Sequence, residues 1–311
     1  MRLEDDHQQS APPAGEQLEP AQLTEHHPEE GPQNGHRRSI NTGRNLPAAL
    51  VVGAVLGGLV ILTLLTIKGT FLIYVGIMLA IAFWEFAHAL ASRGIHLPLI
   101  PIAAGGVAMV TLAYFSTPKW VLAAVGVTAI LIFASRLPGG ADGYLRDVTA
   151  GVFTLVYLPV LAVFVALMLA APDGARRALT FVILTVCSDT GGYLAGILFG
   201  KHPLVPSISP KKTWEGLAGS LVLTLAAGVT TVVLLLGGYV WQGLLLGVAA
   251  VCAATLGDLV ESMIKRDLAI KDMGHLLPGH GGIMERLDSL LVMAPVIWLL
   301  LTLFVPNGHA T

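Results

Sequence analysis

The chain has 311 residues, of which 54% are hydrophobic and only 12% are charged, and its mean hydropathy is +0.74. Soluble domains carry about 25% charged residues, so these values exclude a soluble enzyme, and they exclude a disordered or fibrous chain over most of the length. The formal net charge of −2 is unevenly distributed, because eight of the 20 acidic residues precede residue 31. Cys187 and Cys252 lie in apolar runs and indicate no disulfide framework. The composition predicts an integral membrane protein with a polar N-terminal tail.

Residues 1–45 form that tail. They are rich in Glu, Gln, Pro, Gly and His and contain almost no aromatic or β-branched residues. Such a segment buries too little apolar surface to offset its chain entropy, so we predict that it is disordered. It lacks a basic stretch followed by an apolar core and therefore does not have the pattern of a signal peptide.

Apolar runs long enough to cross a bilayer follow the tail. A transmembrane helix needs about 20 apolar residues, and this criterion predicts an all-α, polytopic protein with about nine spans. We divide these spans into an N-terminal transmembrane region, residues 46–178, and a C-terminal catalytic region, residues 179–306. The predicted spans are 47–67, 71–91, 98–115, 119–134, 152–171, 178–199, 217–237, 241–263 and 289–305.

The distribution of Lys and Arg between the connections predicts the orientation. With the N-terminus inside, the inner segments hold 13 of these residues and the outer connections hold four. Cytoplasmic segments of membrane proteins carry this excess, so the tail is expected in the cytoplasm. The outer pair Arg176 and Arg177 argues against this orientation. Two inner connections, 200–216 and 264–288, are long and polar, and we expect the function to lie there.

Few ionisable residues lie within the spans, where each one is costly and therefore a functional candidate. Glu85 and His88 share one face of the second span, as either a mutually satisfied structural pair or a functional one. Asp189 lies in the sixth span beside the first polar loop. Asp258 and Glu261 share a face of the eighth span, and Lys265 continues that face one turn later.

The two polar loops supply the remaining candidates. The first presents Ser209, Lys211, Lys212 and Thr213 together, as a polyphosphate or an anionic headgroup requires, although a positive-inside anchor would also explain its lysines. The second combines carboxylates and lysines around a glycine-rich turn, 278–282, where backbone amides can approach a ligand. Carboxylates on two helix ends with lysines between them suit Mg²⁺ bound together with substrate phosphates. The sequence contains neither HExxH, paired CxxC nor GxSxG, which disfavours a zinc site and a serine hydrolase.

Taken together, the loops resemble the phosphatidate cytidylyltransferases, or CDP-diglyceride synthases, over roughly residues 180–290. Upstream, the elements S-D-T at 188–190 and S-P-K-K-T-x-E-G at 209–216 are similar to the family. One position departs from the pattern, because Glu285 stands where the family usually has Asp. The C-terminal signature is matched by Ser262, Lys265, Arg266, Lys271, Asp272, Gly274, Pro278, Gly279, His280, Gly281, Gly282, Arg286, Asp288 and Ser289.

The resemblance implies the reaction of CTP with phosphatidic acid to give CDP-diacylglycerol and pyrophosphate, for phospholipid biosynthesis, with divalent metal. It is also compatible with a homodimer, and nothing in the sequence indicates a nucleic-acid partner. We predict two Mg²⁺ ions, with Asp189, Asp258 and Glu285 as metal ligands. The predicted catalytic residues are Asp258, Lys271, Asp272, Glu285 and Asp288. The predicted substrate-binding residues are Ser209, Lys211, Lys212, Thr213, Lys265, Arg266, His280, Gly281, Gly282 and Arg286.

Two other functions remain open at this point. An ion-coupled transporter would use the intramembrane carboxylates, although no second copy of either polar loop occurs in residues 47–178. A CTP-dependent polyprenol or lipid kinase would need similar carboxylates and lysines, although the P-G-H-G-G turn favours the cytidylyltransferase. The absence of a transit peptide and of disulfides, with the inward-facing loops, indicates a bacterial-type plasma membrane.

Overall fold

The part of the chain that the structure describes folds into ten α-helices and one short β-hairpin. The computed structural model describes residues 46–274, 276 and 281–305, with side chains from residue 53 onward. The predicted disordered tail and His280 lie outside these residues and stay predictions. The helices are α1 (Leu46–Thr66), α2 (Lys68–Ala91), α3 (Leu99–Phe115), α4 (Pro118–Arg136), α5 (Tyr144–Leu155), α6 (Leu161–Ala170), α7 (Gly174–Phe199), α8 (Trp214–Leu235), α9 (Val240–Asp267) and α10 (Met284–Phe304).

The predicted polytopic, all-α architecture is confirmed. Each predicted span coincides with a helix, and seven helical segments are long and apolar enough to cross a membrane within the described part of the chain. The other two, Gly53–Thr66 in α1 and Leu99–Phe115, are shorter apolar helices. Several helices extend beyond the predicted bounds on the side of the polar loops. For example, α9 continues to Asp267 and α10 begins at Met284, because charged residues can prolong a helix past the apolar core.

The fifth span is a single rod, Tyr144–Ala170, in which α5 and α6 are joined by a π-helical turn at Val156–Val160. Pro159 lies inside this turn and has no backbone N–H to donate, so the regular hydrogen-bond ladder is interrupted there. The rod packs closely on α3, since a Cβ atom added at Gly106 would lie 3.1 Å from Pro159 Cβ. The sequence prediction of 152–171 began too late to include the first two turns of the rod.

The polar connections gather at one end of the bundle. Short connections join antiparallel neighbours in helical bundles, so the α7–α8 and α9–α10 connections lie on the same side. Contacts between the connections agree with this arrangement. Arg93, after α2, donates from Nε to the Leu268 carbonyl at 2.6 Å, and Arg266 Nε donates to the Ile208 carbonyl at 3.3 Å. We call this side the loop end.

Small residues allow α7 and α8 to pack closely just below the loop end. A Cβ atom added at Gly219 would lie 2.2 Å from Ala195 Cβ, and one at Gly191 would lie 2.6 Å from the Gly219 carbonyl oxygen. Ser220 Oγ donates to the Ser188 carbonyl at 2.6 Å. Small residues at interfaces drive such association in membranes. This contact fixes Asp189, the next residue on α7, beside the start of α8.

At the opposite end, Arg177 connects α7 to α10. Its Nε pairs with Asp173 at 2.6 Å, and its terminal nitrogens donate to the carbonyls of Leu301 and Val305, both at 2.9 Å. The guanidinium is buried and bonds carbonyls at the C-terminus of α10, where a helix leaves carbonyl groups without partners of its own. Arg177 is therefore a structural residue rather than a free charge.

Candidate active site

Four carboxylates from three helices meet at the loop end. We call this group the acidic cluster: Asp189 on α7, Asp258 and Glu261 on α9, and Asp288 on α10. Asp258 interacts electrostatically with both Asp189 and Asp288, and Asp288 also with Glu261. The backbones of α9 and α10 touch here, since a Cβ atom at Gly257 would lie 2.4 Å from the Asp288 carbonyl oxygen. This close packing brings together carboxylates that are 30 residues apart in the sequence.

Basic groups partly compensate this negative charge. Lys212 forms an ion pair with Asp258, and Lys265 Nζ lies 2.6 Å from Glu261 Oε2 on the same helix. Arg286 lies within electrostatic range of Asp189. The Lys212–Asp258 pair is half-exposed, whereas Glu261 is buried. A predicted substrate-binding lysine and a predicted metal ligand are thus direct neighbours.

A β-hairpin in the first loop carries Lys212 to this position. Its strands β1 (Pro203–Val205) and β2 (Ser209–Thr213) pair antiparallel. At its end, Thr213 caps α8 by accepting a hydrogen bond from the Gly216 amide at 3.1 Å. Glu215 holds the other side by accepting from the amides of Lys201 and His202. Lys211 is exposed on the same strand, and Ser209 begins it. The hairpin was not predicted, because the sequence indicated only a loop that interrupts the helices.

Glu285 organises the second loop through backbone contacts. Its carboxylate accepts from the Gly282 amide at 2.7 Å and from the Met273 amide. The loop turns at Gly281, whose φ of +80° favours glycine. Glu285 also lies within electrostatic range of Glu261. The longer side chain, in place of the Asp usual in similar sequences, therefore spans two segments of the loop.

Glu85 fastens the same loop from α2. Its Oε2 accepts from the Met284 amide at 2.9 Å, at the start of α10. Cβ atoms added at Gly274 and Gly282 would lie 2.2 and 2.4 Å from its carboxylate oxygens, so both glycines leave the space that Glu85 fills. His88 instead stacks on Trp84, with ring centroids 5.7 Å apart. The described contacts of Glu85 and His88 are thus with different partners, Met284 and Trp84.

A further buried carboxylate at the loop end, Asp147, was missed. It is fully buried and pairs with Arg136 and Arg146, and it accepts from the His96 amide at 3.2 Å. These contacts join the connections around α3, α4 and α5 on the side of the acidic cluster. The signal in the sequence was an isolated Asp at the start of an apolar run. It went unused because the predicted span began at residue 152.

The predicted metal ligands lie near one another without forming a closed site. Within the described residues, no three Asp, Glu, His or Cys side chains converge as a metal would require. Asp258 faces Lys212, and Glu285 is engaged by backbone amides. The chemistry of the donors nevertheless fits a divalent cation, because carboxylate oxygens are hard ligands. Glu261 Oε1 is buried and accepts no hydrogen bond from the described residues.

The remaining candidates occupy the same end. Lys271 is exposed and Asp272 is half-buried in the second loop, while Arg266 is exposed at the end of α9. Gly281 and Gly282 lie next to Glu285, as described above. The roles predicted for all of these residues stay predictions.

This arrangement defines a polytopic membrane protein with carboxylates and lysines gathered at one end of its helical bundle. The sequence profile of the Cytidylyltransferase family matches residues 47–304, and the chain belongs to that family. It is therefore a nucleotidyltransferase that uses CTP. The match favours this function over the transporter and the lipid kinase.

Several relatives share one name, phosphatidate cytidylyltransferase. The chain is 43% identical over 283 residues to the protein of that name from Mycobacterium leprae, covering 86% of this chain and 91% of the relative. It is 41% identical over 294 residues to the one from Mycobacterium tuberculosis H37Rv, covering 89% and 90%. The protein of that name from Staphylococcus haemolyticus is 42% identical over 132 residues, covering 42% of this chain and 50% of the relative. The similarity to the mycobacterial proteins thus extends well beyond the two polar loops.

Proposed function

We propose that this enzyme is a phosphatidate cytidylyltransferase, which converts CTP and phosphatidic acid into CDP-diacylglycerol and pyrophosphate. The observation that carries the proposal is the meeting of the acidic cluster with the basic hairpin at the loop end, through Lys212 and Asp258. The names of the mycobacterial relatives support the same substrates. This site combines groups for cations with groups for phosphates beside a lipid-facing helical bundle.

The reaction demands charge neutralisation more than proton transfer. The phosphate of phosphatidic acid is already a competent nucleophile, and it attacks the α-phosphorus of CTP while pyrophosphate leaves. The protein must align these groups and stabilise the charge that develops on them. Lys211, Lys212 and Lys271 are the cations that would hold the phosphates, with Ser209 as a hydrogen-bond donor. All lie in the hairpin or the second loop.

Asp189 and Asp258 would hold the divalent cation, such as Mg²⁺, with Asp288 in support. Such cations, bound by these carboxylates, would supply positive charge that offsets the charge of the reacting phosphates. In this proposal Glu285 is not a metal ligand. Its contacts with the amides of Met273 and Gly282 support a role in holding the second loop. A homodimer, implied by the resemblance, stays a prediction.

The proposed location is the inner membrane of a bacterium, with the N-terminus and the loop end in the cytoplasm. The excess of Lys and Arg on this side supports the orientation. Arg176 and Arg177, which this orientation places on the outer side, are the residues that argue against it. Because Arg177 is buried against Asp173 and carbonyls of α10, it has a structural reason for its position. The bacterial origin of the relatives supports the choice of membrane.

Turnover by the purified full chain in detergent tests the function. With phosphatidic acid, labelled CTP and Mg²⁺, we expect CDP-lipid and pyrophosphate in equal amounts. Asp258→Asn should lower kcat at least a hundredfold, since it removes a charge at the reacting phosphates. Asp142→Asn is the matched control, because Asp142 is an exposed carboxylate at the same end. Folded wild-type protein that forms CDP and a phosphorylated lipid would instead be a kinase, and the proposal would be abandoned.

A further inference from the structure

The π-helical turn at Val156–Val160 presents one polar side chain to the interior, that of Tyr157. A π turn inserts a residue into the helix, and each residue of an α-helix rotates the chain by about 100°. The insertion therefore changes which face the residues of this turn present. Such turns occur frequently at functional sites, and Pro159 accounts for the interrupted ladder here.

Aromatic neighbours fix the ring of Tyr157. It stacks on Phe153, one turn earlier, with ring centroids 5.4 Å apart and an interplanar angle of 25°. On another side it packs on Phe86 of α2, with centroids 6.1 Å apart. Phe86 directly follows Glu85, the residue that fastens the second loop. The direction of the phenol hydroxyl is thus set by packing from two helices.

The ring of Tyr157 lies beside the acidic cluster, because it belongs to one buried apolar group with Met284, against which Val260 and Leu287, the neighbours of Glu261 and Asp288, also pack. Tyr157 is 5% exposed, and its oxygen is buried with no hydrogen-bond partner among the described residues. It interacts electrostatically with Asp258, Glu261 and Asp288. A buried hydroxyl without a partner is costly in a membrane protein, and buried Tyr hydroxyl groups usually find one. A ligand bound beside the cluster would supply the missing partner.

A phosphoryl oxygen meets this requirement. Carboxylates accept hydrogen bonds but cannot donate them, so the acidic cluster alone offers no donor to a phosphate. Two lysines of the site are already engaged by carboxylates, Lys212 by Asp258 and Lys265 by Glu261, while Lys211 and Lys271 lie exposed in the hairpin and the second loop. Tyr157 adds a neutral donor to the interior side of the cluster, where it brings no further charge to be buried.

We propose that the hydroxyl of Tyr157 donates a hydrogen bond to a phosphoryl oxygen of the substrate bound at the acidic cluster. The inference rests on the proposed function of this site. It makes Tyr157 a catalytic residue contributed by the N-terminal half of the chain. The phosphoryl oxygen belongs either to CTP or to phosphatidic acid, and the two sources are separated by the experiment.

Tyr157→Phe tests the inference, because it removes the hydroxyl and keeps the ring between Phe86 and Phe153. We expect kcat to fall at least tenfold in the full chain, as for other buried donors to a reacting phosphate or carbonyl. A rise in KM for CTP alone would assign the bond to the nucleotide, and a rise for phosphatidic acid alone would assign it to the lipid. Tyr144→Phe is the control. Tyr144 lies in the same rod as Tyr157, but its hydroxyl donates to the Phe133 carbonyl of α4 at 3.1 Å.

Two results would overturn the inference. One is a Tyr157→Phe enzyme whose kcat and KM values lie within twofold of the wild type. The other is an enzyme that needs more Mg²⁺ for half-maximal rate and regains full rate at saturating Mg²⁺, since the hydroxyl would then orient a carboxylate. Inactive wild-type protein would contradict the proposed function instead.

Thermal unfolding of the same samples tests the hydroxyl without turnover. CTP with Mg²⁺ and phosphatidic acid are added separately, and the stabilisation by one of them should be smaller in Tyr157→Phe than in Tyr144→Phe. Equal stabilisation in both variants by both ligands would count against the bond. Melting temperatures without ligand check that each variant is folded.

Discussion

Replacing Glu285 tests whether this carboxylate holds the second loop or binds a metal. In Glu285→Gln, one oxygen can still accept from a backbone amide, but the side-chain NH2 group must face the other N–H donor. The amide of Met273 or of Gly282 therefore loses its acceptor. A hydrogen bond to a charged group contributes about 1.5–3 kcal/mol, so this contact of the loop should open roughly 10- to 150-fold more often.

Glu285→Asp distinguishes the two roles more sharply. It restores the residue usual in similar sequences but shortens the side chain by one methylene, so the carboxylate no longer reaches both Met273 and Gly282. A role in the loop predicts that Glu285→Asp is as impaired as Glu285→Gln. A role as metal ligand predicts that Asp retains most of the activity and that Gln does not.

Amide hydrogen exchange at Met273 and Gly282 provides the direct measurement, with the rate of CDP-lipid formation determined in parallel. We expect exchange to accelerate in both variants by the factor given above. Asp267→Asn is the control, because it removes an exposed carboxylate at the end of α9. Unchanged exchange at both amides in Glu285→Gln would refute the assignment, whatever happened to the activity.

Two further substitutions probe the supports of the site. Gly282→Ala places a Cβ atom 2.4 Å from Glu85 Oε2, so Glu85 must move and release the Met284 amide. We expect the free energy of unfolding to fall by about 1–3 kcal/mol and hydrogen exchange at that amide to become faster. The control Gly76→Ala, with nothing described within 4 Å, should have neither effect. Arg177→Met should lower the melting temperature by several degrees, because Asp173 is left as an unpaired buried charge at a cost of about 3–5 kcal/mol. The KM values should not change, since Arg177 is remote from the loop end. Equal melting temperatures for Arg177→Met and for the exposed control Arg176→Met would contradict this explanation.

The helices could be predicted from the sequence because a membrane imposes one strong requirement. Each span needs a long apolar run, and such runs are readable without knowledge of packing. The clustering of charges in 200–216 and 264–288 likewise indicated which loops carry the function. The rotation of each helix about its own axis was harder to predict from the sequence. The α7–α8 contact through Gly191 and Gly219 follows from small residues, but the pairing of Lys212 with Asp258 depends on a hairpin that the sequence did not indicate.

The contacts made by Asp147, Glu85 and Tyr157 could not be predicted for a related reason. Each is a single polar residue in an apolar helix, and its partners lie in distant segments. Glu85 was recognised as costly within a span, but its contact with the Met284 amide, 199 residues along the chain, could not be inferred from its neighbours in the sequence. Tyr157 gave no signal at all, because its direction depends on a π turn rather than on a regular helical period.

The N-terminal helices are therefore part of the site rather than only a membrane anchor. The resemblance to the cytidylyltransferases was carried by residues 180–290, yet the family profile extends from residue 47 to residue 304. The structure offers a physical reason for this extent. Glu85 fastens the start of α10, where Glu285 and Asp288 lie, and Tyr157 packs in one buried group with Met284, beside the acidic cluster. A C-terminal half without these helices would leave the second loop unfastened and the Met284 amide without its acceptor.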